Sequence, residues 1–284
     1  MTLYATLADA KGEMQASTTL GDAKLLNNLR IVSRRVDRLF QSRRPYFAPW
    51  IESHEIALNP NRVNSRERTF KLNRPLLALT SVTVGTEALT LATQVKAWMP
   101  LDTPIRKLIL VDGGDAWYSY CDDNEDPRRV IVAGTWGYNR DWANAWLSVT
   151  TLGAAITTTT ATAITVTDID GTDAYGRSPW ISAGALLKID DEYLEVTATN
   201  TSTNVATVRR GVNGSTAATH LNAATVSVYQ VEEDLRQVVA RQAGFMYARQ
   251  GAYVTTQITD IGAVTYPPDL LPELRNTIAG YAYE

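Results

Sequence analysis

Between residues 151 and 230 the chain holds 17 threonines. Within that stretch, Ile156-Thr157-Thr158-Thr159-Thr160-Ala161-Thr162-Ala163-Ile164-Thr165-Val166 puts a β-branched side chain at almost every position. Branching at Cβ restricts χ1 against the preceding helical turn and suits a pleated surface. The segment therefore has to satisfy its backbone in sheet. Gly171, Gly176, Gly184, Asn200-Thr201-Ser202 and Asn213-Gly214 punctuate it, which predicts strands near 163–168, 185–189, 193–198, 204–209 and 225–230. That spacing fits a small barrel or sandwich domain over 150–230, inserted between segments of a different period.

N-terminal to the insert the pattern is helical. Residues 3–16 predict a short helix through Leu3, Leu7 and Met14, weakened by Gly12. A longer helix opens at Gly21-Asp22 with Asp22 as the expected N-cap. Leu25, Leu29, Val32, Val36 and Leu39 then recur at spacings of four and three, and Pro45 and Pro49 bar continuation. Away from this apolar stripe, Arg30, Arg34 and Arg38 follow one another every four residues, with Arg35, Arg43 and Arg44 nearby. Residues 22–44 carry seven bases against two acids, although the chain as a whole is at −3. Such a face suits DNA phosphates, an acidic protein surface or a neighbouring subunit. It is equally what a solvated helix face looks like, with cations near its C-terminal dipole.

From Ile51 to Val149 the period is extended: 51–58, 69–72, 79–84, 105–111 and 129–132 predict a meander of short antiparallel strands. Trp136, Tyr138, Trp142 and Trp146 form an aromatic group that suits either an interface or a core under the N-terminal helix. Helical period returns after Glu232-Glu233-Asp234, with Leu235, Val238, Val239, Gln242, Phe245 and Met246 on one face and Gly251 as a stop. Tyr266-Pro267-Pro268-Asp269-Leu270-Leu271-Pro272 then reads as an extended arm before a weak helix over 273–279, with little to pack against on its own monomer.

Composition and motifs narrow the function classes. No apolar run approaches the roughly 18 residues of a membrane span, and no export signal is visible at the N-terminus, so a soluble protein is expected. One cysteine, Cys121, allows no intrachain disulfide, and with two histidines, His54 and His220, it makes a poor zinc set. No nucleophile elbow, phosphate loop or zinc-protease pair occurs. Asp112-Gly113-Gly114-Asp115 reads as a tight turn and Asp122–Pro127 as a solvated hairpin loop, since it lacks the glycine and last glutamate of a calcium loop. Asp190, Asp191, Glu192 and Glu195 include paired carboxylates of the kind hydrolases use, but a hairpin turn followed by a strand accounts for them without chemistry. We expect no catalysis, no metal and no cofactor.

The outer segments resemble a family. Tyr4-Ala5-Thr6-Leu7-Ala8-Asp9, then Asp22-Ala23-Lys24-Leu25-Leu26 opening a helix that runs into Val36-Asp37-Arg38, the strands after it, Trp136-Gly137-Tyr138 and a later helix are similar in order to the tailed-phage head–tail connector (head-completion) adaptors. The resemblance covers 1–149 and 231–284. It implies an α+β adaptor domain, a helical bundle with short antiparallel strands, interrupted by the all-β insert. It further implies a ring, typically of twelve copies, that joins the portal protein to a tail-side neck or tail protein in the virion and continues the channel for packaged DNA. The chain would be made in the host cytoplasm and have no membrane partner. By the same resemblance the C-terminal segment docks on the portal, through Tyr266, Pro267, Pro268, Leu270, Leu271, Leu274, Ile278 and Tyr281. The insert itself, around Gly184–Val196, Ala206–Gly214 and Thr219–Ala224, is similar to a β module of various phage virion proteins. The alternative expectation is an oligomeric binding module, glycan-binding through that insert.

Overall fold

The computed structural model describes residues 2–15, 21–57, 63–64, 69–84, 87–98, 104–111, 129–174, 176–249 and 270–282. The chain divides into two compact units, one of Met1–Arg43, Trp146–Val212 and Thr216–Glu284, the other of Arg44–Ala145 with Asn213–Ser215. The sequence division set 150–230 apart from both ends. Here the terminal helices group with that segment, and 44–145 stands by itself.

Helix α1 (Leu7–Met14) begins later than position 3 because Leu3, Tyr4 and Ala5 are buried in non-helical conformation ahead of it. Its start is a capping box. The Thr6 hydroxyl accepts from the Asp9 N–H at 3.2 Å, and the Asp9 carboxylate accepts from the Thr6 N–H at 2.8 Å. Helix α2 (Asp22–Leu39) is capped by Gly21 at φ 89°, so Asp22 is its first helical residue and not its N-cap. The Asp22 carboxylate pairs with Lys11 at 2.7 Å instead. Gly21 also packs where a Cβ would lie 2.0 Å from the Tyr247 hydroxyl, so a side chain there would have to displace the Tyr247 ring. Leu25, Leu29, Val32 and Val36 are buried as their spacing predicts, whereas Leu39, in the last position, is 54% exposed. The helix stops there, ahead of Pro45 and Pro49, with Phe40 as C-cap.

The unit built on 44–145 is a seven-stranded antiparallel sheet. Its strands are β1 (Trp50–Ala57), β2 (Val63–Asn64), β3 (Thr69–Val84), β4 (Glu87–Leu89), β5 (Val95–Trp98), β6 (Ile105–Leu110) and β7 (Arg129–Trp136). The order is β1-β7-β3-β6-β5, with β2 and β4 paired to β3. Two expected strands, 69–72 and 79–84, are one strand of 16 residues. Its register against β6 slips between Lys71 and Leu76, and Asn73-Arg74-Pro75 occupies the slip. A proline without an N–H is tolerated in a strand at such an irregularity. Trp136 is fully buried, in the cluster of its own sheet with Ile56, Phe70, Leu76, Val82 and Val132. Asn213-Gly214-Ser215 belongs to this unit as well. The Asn213 carbonyl accepts from the Ile51 N–H at 2.8 Å, and its side-chain amide donates to the Pro49 carbonyl at 2.9 Å.

The other unit carries β8 (Trp146–Thr151), β9 (Ala163–Thr165), β10 (Leu186–Ile189), β11 (Glu192–Asn200), β12 (Val205–Arg209) and β13 (Thr225–Tyr229), in the order β8-β13-β10-β11-β12-β9. The two edges meet, since the Gly153 N–H donates to the Thr165 carbonyl and the Thr167 N–H to the Thr151 carbonyl, both at 2.9 Å. The sheet thus closes around Leu152, Ile164, Ile181, Leu187, Leu194, Val208 and Val226. Helices α3 (Glu233–Ala248) and α4 (Pro272–Ala282) complete the unit. Helix α3 packs against α1, α2 and α4, and α1 reaches the strand module through the Leu7 N–H, which donates to the Ala183 carbonyl at 2.9 Å.

The expected helical bundle with short strands is therefore overturned. Thirteen strands in two antiparallel sheets stand against four α-helices among the described residues. The reason is physical: the strands between Trp50 and Trp136 pair into a sheet with its own core, rather than decorating a helical one.

Candidate functional site

Helix α2 presents a cationic surface, and its origin is the helical period. Positions 25, 29, 32 and 36 point inward, so the residues about half a turn away must point out. Lys24, Arg30, Arg34 and Arg38 are exposed and Arg35 is half-buried. The only acid in the body of the helix, Asp37, is 7% exposed and takes a hydrogen bond from the Tyr4 hydroxyl. Ser33, one turn earlier, accepts from the Tyr4 N–H at 3.2 Å. The inward face thus absorbs the negative charge and leaves the outward face cationic. Lys24 and Arg38 are 14 residues apart, about 21 Å along the axis.

The C-terminal segment behaves differently from its sequence expectation. Tyr266, Pro267 and Pro268 lie outside the described residues. Leu270 and Leu271 are half-buried, and the Leu271 N–H donates to the Gln242 side chain at 2.7 Å. Leu274, Ile278 and Tyr281 are 0%, 6% and 3% exposed. They lie on α4, which packs on α3 of the same chain, and the Tyr281 hydroxyl donates to Asp234. The described part of the segment, from Leu270 on, packs on α3 of its own chain. The apolar side chains of α4 at 274, 278 and 281 are consumed internally, and Pro272, Glu273, Arg275, Asn276, Ala279 and Gly280 are exposed.

The titratable residues weighed as chemistry are also located. His54 stacks on Trp136 at 4.1 Å between centroids, and its Nε2 lies 2.6 Å from Glu52, which Arg74 contacts at 3.2 Å. Asp190 and Asp191 form the two-residue turn between β10 and β11, with Asp190 at φ 50°. Glu195 pairs with Arg209 at 3.1 Å. Glu192 is the centre of a buried polar knot. Arg210 donates to both its oxygens at 2.6 Å, the Gly211 and Ala218 N–H groups donate at 3.0 Å, and His220 Nε2 lies at 2.8 Å. The other ring nitrogen of His220 is 2.7 Å from Asp190. Burial alone would raise the Glu192 carboxyl, but Arg210, the two N–H groups and His220 outweigh it and hold it below its ordinary range. Five donors leave that carboxylate no lone pair for a substrate, so the knot ties the 210–220 loop to the sheet.

Sequence reasoning missed the knot. Glu192, Arg210 and His220 are 18 and 28 residues apart on the first member, and no local spacing joins them. The loop at 112–115, that at 122–127 and Cys121 lie outside the described residues. Among the described residues no group of three or more His, Cys, Asp or Glu could hold a metal ion, and no helix is long and apolar enough to cross a membrane.

Fold and site together define a mainly β chain of two units with one cationic helix face. Comparison with protein-family models, with curated proteins and with solved structures finds no match to it.

Proposed function

We propose that the chain is a structural subunit of a tailed-phage neck, closing into a ring that joins portal to tail and surrounds the DNA path. The observation that carries this reading is the division of α2 into an apolar inward face and an outward face bearing Lys24, Arg30, Arg34 and Arg38 with its acid turned in. In a ring each copy presents one such face, and the copies sum to a cationic belt suited to a polyanion of any sequence. The ordering of helix, strands and later helix that resembles the connector adaptors supports the same reading. The portal partner remains part of the proposal, through surfaces other than Leu274, Ile278 and Tyr281.

Native mass spectrometry and negative-stain microscopy of the purified chain, alone and with a portal, test it. A closed ring, or a complex with the portal, is expected. A protein that stays monomeric in both conditions sinks the reading.

A further inference from the structure

The sheet of the 44–145 unit carries a second concentration of base. Strands β3, β5 and β6 contain Lys71, Arg74, Lys96, Arg106 and Lys107 and no acidic residue. Two of these bases are engaged, since Arg74 contacts Glu52 at 3.2 Å and Arg106 stands beside the Tyr138 ring. The register puts the other three on one face. Phe70 and Leu108 are opposite one another and fully buried, so Lys71 and Lys107, the adjacent positions and also opposite one another, lie on the far side of the sheet from that core. Trp98 is opposite Lys107 on β5, and Lys96, two residues before it, shares its face. None of these residues has a part in the neck reading, and the inference does not depend on it.

The chemistry of this face restricts the ligand. Lys71 and Lys96 are exposed and Lys107 is half-buried, and none of the three has an ion pair among the described residues. Like charges directly across a strand pair repel, and the sheet accepts that cost at Lys71 and Lys107 with no acid on either strand. The acids nearest these lysines in sequence, Glu67, Asp102 and Asp112, lie outside the described residues. Trp98 is 41% exposed, with Lys107 Nζ 4.9 Å from its ring centre. Neighbouring strands are about 4.8 Å apart and residues along a strand about 3.4 Å apart. Lys71, Lys107 and Trp98 therefore form a row about 10 Å long, and Lys96 stands about 7 Å from Trp98 along β5. An anion that also carries a flat apolar group fits such a row.

We propose that this face binds single-stranded nucleic acid, with a base stacked on Trp98 and the phosphates around it held by Lys71, Lys96 and Lys107. An aromatic ring accepts the flat face of any base, and lysines on the same surface follow the backbone. In a duplex the bases are stacked on one another and do not reach the ring, so the exposed indole favours the single strand. An acidic peptide would use the lysines and leave the indole in water.

The test uses the full chain with a fluorescein-labelled oligothymidylate and a labelled duplex of the same length, read by anisotropy at low salt. Saturable binding of the single strand is expected. Trp98→Ala should weaken it about tenfold and leave duplex affinity unchanged, and Trp98→Phe, which keeps a ring, should recover most of the loss. Lys71→Gln combined with Lys96→Gln provides an independent arm, because both side chains are exposed and folding does not use them. It should lower the slope of log affinity against log salt by about 1.4 for the single strand and leave the circular dichroism unchanged. No saturable binding of the single strand, binding undiminished in Trp98→Ala, an equal loss for single strand and duplex, or a salt slope unchanged in the double lysine variant overturns the proposal. Polyglutamate or phosphatidylglycerol vesicles held as tightly, with the same dependence on Trp98, overturn it as well.

Discussion

Five hydrogen-bond donors converge on Glu192, and two of them come from one guanidinium whose side chain is itself 5% exposed. Glu192→Gln removes the charge while keeping the shape, and leaves Arg210 buried without its counter-ion. Breaking one side of a buried pair costs about 3–5 kcal/mol, so a loss of unfolding free energy of that order is expected at neutral pH, read as a lower urea midpoint at unchanged slope. The pH dependence has a defined sign. A carboxyl held below its ordinary value binds its proton more weakly folded than unfolded, so its stabilisation is full above the unfolded value and fades as pH falls toward the folded one. The native chain and the Glu192→Gln variant should therefore converge in stability on the acid side of the ordinary carboxylate range, which urea titrations across pH would check. Gly214 supplies a second test at this scale. It sits at φ 82° where a Cβ would lie 1.9 Å from the Ile51 carbonyl oxygen. Gly214→Ala should destabilise the unit holding Ile51 by about 1–3 kcal/mol, seen as a lower melting temperature by calorimetry.

At the scale of elements, α2 was legible because its two faces differ in period and composition, and burial follows the stripe as far as Val36. Leu29→Ala, at a fully buried position of that stripe, should cost about 2–5 kcal/mol, measurable by urea denaturation. Arg30→Ala one residue later should cost little. The long strand β3 was illegible for an equally physical reason. Proline at position 75 ends a strand by local rules, and only the pairing slip against β6 shows that the chain carries on through it. Leu274, Ile278 and Tyr281 read as portal contacts for a similar cause. Their partner α3 lies some 30 residues upstream, and a weak amphipathic pattern does not name what it packs on. The Glu192 knot is the extreme case. Its members come from distant segments, so local spacing does not join them.

At the scale of the whole molecule, charge is unevenly placed: −3 overall, with seven bases against two acids in residues 22–44. A net-negative subunit gains nothing from polyanions by its average field, so affinity for DNA through this patch must depend on salt in proportion to the phosphates it neutralises. The roughly 21 Å from Lys24 to Arg38 spans about six phosphates of one duplex strand at 3.4 Å each, enough for each exposed arginine to take a separate one. If Arg30, Arg34 and Arg38 each displace one counterion, converting all three to Gln should lower the slope of log affinity against log salt by about 2.7 for every subunit face in contact. The melting temperature should stay near that of the native chain, because all three side chains are exposed. Filter binding of duplex DNA between low and moderate salt measures the slope. A slope unchanged by the triple substitution would mean that the belt faces a protein neighbour instead, and the same variant would then lose its ring in native mass spectra while leaving DNA affinity intact.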